Sequence, residues 1–483
     1  FYNRLISRPV RLRYYQVLAL YFTEAALKKI RSGEKGYAER TMLAYWMATG
    51  SGKTLLMHLN ILQYIDHIGG WRAFDELQII LTTPGVNLIE QHRREVVPLV
   101  EKLNQQCAGR IRLTIDSTQS LLNRERGFFN LPDHKRIFRL VLVDEGHIGL
   151  SSSGKELGKF KELRHNLADF PNAFLFEYSA TYHGIADRHV KEYEEQIVYD
   201  YNYYRFFKDG YGKDFNVARI ADDRFDAGFE CWENFTTAFR TLADKLTVYQ
   251  ELRVSLPTGA GGLPFTGIFP DKPLLAFMGR TVEDSKDEGK SDEVSDIRKI
   301  LGFLTRLTYE EKERLKPVFN SQVDGLLTLT RCPAVVDEIL LSWGDGEYWG
   351  IINVGNGDKF FNDSKDHVDL KGPDGRMLVH LRKSPIIESR YHFSQLDTAA
   401  SPINVLIGSR KFAEGWNCFR VSVIGLVNLG ATRGNKIIQI FGRGVRLKGL
   451  NDDGKRNAIE HHEDYTALIA DDTPTNRLRR LET

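Results

Sequence analysis

The run Met47-Ala48-Thr49-Gly50-Ser51-Gly52-Lys53-Thr54 brings two glycines, a lysine and a threonine hydroxyl together within five positions. Glycines let consecutive backbone N–H groups close around a polyphosphate, a lysine after them reaches its terminal phosphates, and the next hydroxyl ligates Mg²⁺. Thr49, Gly50, Ser51, Gly52, Lys53 and Thr54 are therefore the candidate ATP-binding residues, with Thr54 on the metal. Hydrolysis needs a carboxylate on the metal and another to orient the attacking water. Asp144-Glu145-Gly146-His147 follows the apolar run Arg139-Leu140-Val141-Leu142-Val143. Asp144 is the second candidate Mg²⁺ ligand, Glu145 the residue that polarises water, and His147 the link to the next motif. An acidic pair after an apolar run is by itself more often a helix cap or a surface turn. Its place about one mononucleotide fold downstream of a phosphate loop favours the catalytic reading.

These groups need elements that aim them. Met42-Leu43-Ala44-Tyr45-Trp46 reads as a short strand and Leu55–Leu62 as a helix, so the glycine loop joins a strand to a helix whose N-terminus faces the phosphates. Further strand candidates are 77–82, 111–115, 138–143 and 174–178, with a helix over 88–103. Ser179-Ala180-Thr181 follows the last of these strands. Asn404–Gly408 leads into Ser409-Arg410-Lys411-Phe412-Ala413-Glu414-Gly415-Trp416-Asn417. Arg443 and Arg446, in Gln439-Ile440-Phe441-Gly442-Arg443-Gly444-Val445-Arg446, fall on one face if this stretch is helical. Paired arginines suit the charge of a transferring phosphoryl group.

In order, these motifs resemble a superfamily-two helicase core of the DEAD/DEAH type, and most closely the ATPase (Res) subunit of type III restriction enzymes. The resemblance runs from Arg13-Tyr14-Tyr15-Gln16 to Arg446. It implies that Gln16 reads adenine, that Gly415 and Gln439 join the ATP site, and that Arg443 and Arg446 are catalytic alongside Lys53, Asp144, Glu145 and His147. It also implies that Thr83, Pro84, Gln91, Thr118, Gln119 and Ser409 contact nucleic acid, in Thr82–Gln91, Asp116–Leu121 and the segment after Gly408. The acidic motif reads DEGH where relatives carry DEAH or DECH, and Asn417 stands where they more often carry Asp.

The implied fold is α/β: two tandem RecA-like P-loop ATPase lobes with parallel sheets. The first lobe is expected over 1–205 and the second over 206–450, with an insertion around 281–400, because motif IV (Lys272–Met278) and motif V lie farther apart than a minimal lobe needs. A C-terminal extension follows over 451–483. The 483 residues, 42% hydrophobic and 27% charged, suit a globular protein of several domains. A net charge of +2 permits nucleic-acid binding without arguing for it. Four scattered cysteines fit a reducing cytoplasm, and neither a membrane span nor a signal peptide is seen.

Pro270-Asp271 with Asp284-Ser285-Lys286 spells a nuclease string, but the second half lies in a polar stretch without apolar alternation and reads as a loop. Tyr199–Tyr204 could stack bases, although alternating aromatics in a strand are more often core. The chain starts at Phe1 and continues about forty residues past Arg446, so we expect no nuclease domain in it, and either a compact or a shortened protein. The function expected is ATP-dependent translocation along DNA or its remodelling, in prokaryotic restriction or phage defence, with a partner subunit for target recognition or cutting. An ATP-gated DNA-binding switch and an RNA helicase remain the alternatives.

Overall fold

The computed structural model describes residues 10–83, 86–122, 136–146, 172–182, 187–217, 232–258, 267–279, 296–333, 335–354, 356–384, 392–408, 418–427, 440–457 and 464–483, with Leu163, Leu167, Phe170, His461 and His462. The chain forms two compact units, Phe1–Phe206 and Phe207–Thr483.

The first unit is built on six strands: β1 (Met42–Met47), β2 (Glu76–Thr83), β3 (Ile111–Ser117), β4 (Ile137–Asp144), β5 (Ala173–Ser179) and β6 (Ile197–Tyr201). They pair in the order β3-β2-β4-β5-β1-β6, and every pairing is parallel. Parallel strands covered on both faces read as continuous apolar runs, as β4 does. Leu140, Val141 and Leu142 are all fully buried there. The main helices are α1 (Tyr14–Arg31), α2 (Lys53–His67) and α3 (Val86–Gln106), followed by the short α4 (Thr118–Leu122) and α5 (Asp187–Gln196). In α3 the buried positions Ile89, His92, Val96, Leu99, Val100 and Leu103 recur at helical spacing and form its sheet-facing stripe. Tyr201 is core: its ring stacks on Tyr15 at 4.2 Å, while Tyr204 is exposed.

The second unit holds β7 (Leu274–Gly279), β8 (Leu327–Arg331), β9 (Glu338–Trp343), β10 (Gly350–Asn353), β11 (Val379–Lys383), β12 (Val405–Gly408) and β13 (Val421–Val427). They form one sheet in the order β11-β8-β9-β10-β12-β7-β13. β9 runs antiparallel to both neighbours, and the other pairings are parallel. The 281–400 stretch, read from sequence as an insertion, contributes β8, β9, β10 and β11 to this sheet, and β10 hydrogen-bonds directly to β12. It is continuous with the lobe's own hydrogen-bond ladder. Helices α6 (Trp232–Ser255) and α7 (Asp296–Thr305) cover one face, with Phe239, Leu242, Leu301 and Phe303 in a core shared with β8, β9 and β10. α8 (Pro474–Glu482) packs on α6 through Leu478 and Leu481. The buried ammonium of Lys245 donates to the carbonyls of Thr483 and Arg480. No helix among the described residues is long and apolar enough to cross a membrane.

Candidate nucleotide site

β1 ends at Met47 and α2 begins at Lys53, so Ala48–Gly52 must turn the chain within five residues. Gly50 and Gly52 make this possible with φ of 81° and 85°, in the left-handed region that side chains disfavour. At Gly52 an added Cβ would also lie 2.5 Å from Gln16 Nε2. The loop is pinned by Ala48 N–H donating to Tyr201 O at 2.9 Å and Ser51 N–H to Ala48 O at 3.2 Å. Gly52 caps α2 without a side-chain hydrogen bond, so no side chain occupies the first-turn N–H groups. Such a terminus attracts anions through its free donors and its dipole. Ser51 Oγ is buried without a partner in the same loop. Lys53 Nζ folds back on Met47 O at 3.3 Å, and Thr54, one position on, is half-buried.

Gln16 reaches the loop from the first turn of α1. Its Nε2 donates to Ser51 O at 2.9 Å, beside the Tyr15 hydroxyl at 3.1 Å, and its Oε1 accepts from Arg13 N–H at 2.9 Å. The Gln16 amide therefore braces the phosphate loop, with one Nε2 hydrogen still available for a base.

Asp144 is the last residue of β4, and its buried carboxylate faces His92 and Lys53. Oδ2 accepts from His92 Nε2 at 3.0 Å and Oδ1 from Glu145 N–H at 3.0 Å. Burial pushes this carboxyl up, but the His92 hydrogen bond and the Lys53 charge outweigh it and hold Asp144 below the ordinary carboxylate range. Glu145 has φ 52°, a conformation costing a non-glycine residue about 1–3 kcal/mol. Strained backbone of that kind clusters at active sites and ligand clamps. Gly146 follows with its N–H on Tyr178 O at 3.0 Å, fixing the turn to β5.

The oxygen donors present suit Mg²⁺. This ion is typically held by one or two carboxylates together with substrate phosphates and water, and the Thr54 hydroxyl and the Asp144 carboxylate are hard ligands of that kind. No cluster of three or more His, Cys, Asp or Glu able to hold a metal occurs among the described residues.

The other residues expected from sequence divide into groups. Thr83, at the carboxyl end of β2, is fully buried with Oγ1 unpartnered, so its side chain is turned from solvent. Thr118 opens α4 with its hydroxyl 3.1 Å from that of Thr82, and Gln119 beside it is exposed. Gln91 is half-buried on α3 with Nε2 3.4 Å from Glu95 Oε1. Ser179 and Thr181 are buried and tied to each other, Ser179 Oγ donating to Thr181 O at 2.6 Å. In the second unit the helical turn covers 440–444 and includes Arg443; Arg446 lies beyond it, its N–H on Arg443 O at 3.4 Å. The two arginines thus do not share one helix face, because the helix expected from their spacing stops at Gly444. Pro84, His147, Ser409, Gly415, Asn417 and Gln439 lie outside the described residues, as do Asp284 and Lys286 of the nuclease-like string. Asp271 of that string is ion-paired to Lys448 at 2.9 Å.

Two residues of the site escaped the sequence reading. A histidine on the apolar stripe of α3, His92 signals a polar partner inside. Glu177 lies in the middle of an apolar strand, fully buried, and accepts both Tyr193 hydroxyl contacts at 2.8 and 2.9 Å.

A parallel sheet with a glycine loop after β1 and an acidic pair after β4 defines a P-loop nucleotide-hydrolysing domain. Residues 9–184 match the family model described as type III restriction enzyme, res subunit. Over that stretch the first unit is similar to that family. No curated protein matches the chain. Among solved structures, the chain is similar to the ATP-dependent type ISP restriction-modification enzyme LlaBIII bound to DNA, at 12% identity and TM-score 0.43, covering 91% of this chain and 27% of that one. It is similar to a fragment described as an HsdR subunit of a type I restriction enzyme from Vibrio vulnificus YJ016, at 14% identity and TM-score 0.40, covering 94% and 64%. The RNA- and ADP-BeF3-bound Dbp5 of S. cerevisiae aligns at 12% identity and TM-score 0.39, covering 92% and 85%. The chain therefore spans less than two thirds of either restriction protein.

Proposed function

We propose that this protein is an ATP-dependent DNA translocase or helicase, acting in restriction or phage defence with a partner subunit that chooses or cuts the target. The observation that carries the ATPase part is the buried Asp144 carboxylate at the end of β4, hydrogen-bonded to His92 with the Lys53 charge acting on it, and followed by Glu145 at φ 52°. In this reading Gly50, Gly52 and the first turn of α2 cradle the phosphates, and Lys53 leaves Met47 O for them. Thr54 and Asp144 hold Mg²⁺, which when bound neutralises charge on the phosphates. Glu145 orients the attacking water.

Support for a DNA track comes from the motif spellings and the family match over residues 9–184. Of the residues that the resemblance assigns to the strand, Gln119 is exposed and Gln91 half-buried, and in this reading both touch it. The deciding experiment measures ATP turnover with duplex DNA, single-stranded DNA, RNA and no nucleic acid. Stimulation by DNA well above RNA is the expected result. Stimulation by RNA alone, or no turnover under any condition, would reject the proposal.

A further inference from the structure

His92 lies on the buried stripe of α3, 1% exposed, 52 positions before the carboxylate it touches. A carboxylate only accepts, so the proton of the 3.0 Å contact sits on His92 Nε2. Asp144 has no other side-chain donor within hydrogen-bond distance among the described residues; its second oxygen takes the Glu145 N–H. The His92 Nδ1 is buried without a partner, so the ring is set by its packing in α3 and by this single contact. Packing alone would be served as well by leucine or phenylalanine on an apolar stripe. A buried imidazole is tolerated where its hydrogen bond does something.

We propose that His92 is a positioning residue, which holds the Asp144 carboxylate in the orientation that receives Mg²⁺ and ties that orientation to α3. The proposal rests on the Mg²⁺–ATP reading of the site. Outer partners of metal ligands act by fixing the ligand's orientation, and their loss typically costs about 10–100-fold in metal affinity or activity. Because Gln91 and His92 are adjacent on one helix, a strand that moved Gln91 would move the group holding Asp144 as well.

The test needs no turnover. The purified chain is titrated with Mn²⁺ in the presence of ADP, free Mn²⁺ being followed by its paramagnetic resonance signal, and metal-free ADP affinity is measured separately. His92→Leu is expected to weaken Mn²⁺ binding about 10-fold or more, with metal-free ADP affinity unchanged. His92→Gln, whose amide Nε2 reaches about as far as the imidazole Nε2, should restore binding to within a few-fold of the native protein. If His92→Leu does not give a cooperative thermal transition, His92→Asn, with a donor too short to reach Asp144, serves as the loss variant. Native-like Mn²⁺ affinity in the loss variant, or a Gln variant as weak as it, overturns the positioning role while leaving the ATP reading intact. Absence of ADP-dependent Mn²⁺ binding in the native chain overturns both together.

Discussion

A Cβ placed on Gly146 would lie 2.1 Å from Glu177 Cγ and 2.3 Å from its Oε1, so the turn after the acidic pair can carry no side chain while Glu177 stands beneath it. Glycine in the third position of DEGH therefore fits the space that Glu177 of the neighbouring strand leaves. Gly146→Ala should destabilise the first unit by about 1–3 kcal/mol, the cost of overpacking a filled site. Glu177→Ala removes the carboxylate that accepts from the Tyr193 and Tyr182 hydroxyls and is destabilising alone. The double variant should be more stable than the sum of the single changes predicts, by roughly 0.5–3 kcal/mol. Urea unfolding of all four proteins measures this coupling, and strict additivity would refute it.

Lys53→Ala should abolish ATP turnover while leaving the thermal midpoint near that of the native protein. The ammonium is half-buried and makes one long contact, 3.3 Å to Met47 O, so the fold loses little with it. Turnover and thermal unfolding are measured on the same preparation. Normal hydrolysis by the folded variant would remove the phosphate-loop assignment.

Glu145→Gln should still bind ATP with Mg²⁺ through Asp144 but hydrolyse it about a hundredfold more slowly, the size of a lost general base. Its backbone strain is unchanged by the substitution, so a stability effect is not expected. Single-turnover hydrolysis against nucleotide affinity separates the two roles, and native rates would show that water is oriented elsewhere.

The first unit was largely legible because its strands are continuous apolar runs that only a buried parallel sheet can use, and because phosphate binding demands glycine, lysine and threonine at close spacing. β1, β4 and β5 differ from the strands read in sequence by a residue or so at their ends. His92 and Glu177 were not legible, since their roles arise from contacts with Asp144 and Gly146 that no local pattern encodes. The four strands within 281–400 were hidden for another reason. They are only four to six residues long, and β9 reverses direction, so the stretch lacks the strand–helix alternation that marks a parallel lobe. The arginine spacing misled because it assumed a helix that continues past Gly444.

Arg443→Ala and Arg446→Ala test a role taken from the resemblance. Each should lower hydrolysis, by as much as about 10³-fold for an arginine that stabilises the transition state, with ATP affinity changed far less. Because Arg446 lies past the helical turn that carries Arg443, the two losses need not be equal. Loss of affinity in step with rate would assign ground-state binding instead. Native rates in both variants would exclude the pair from catalysis.

His58 on α2, 6% exposed, carries an acid-side stability signature. Burial, and then the nearby His92, push its pKa from 6.5 down to about 4. The folded state therefore holds a neutral ring in a range where the unfolded chain takes up a proton, so stability falls as pH drops from about 6.5 to about 4. Below that window both states are protonated, and this residue adds no further loss. The size is at most about 3 kcal/mol, at 1.36 kcal/mol per pKa unit. His58→Leu should keep the same neutral-pH fold and lose this part of the slope, so the native-minus-variant difference in unfolding free energy should shrink progressively between pH 7 and pH 4. Urea unfolding at pH 7, 5.5 and 4.5 reads it directly. Parallel pH profiles for the two proteins would mean that the buried ring is protonated as readily as an exposed one, and its burial would carry no cost to the charged form.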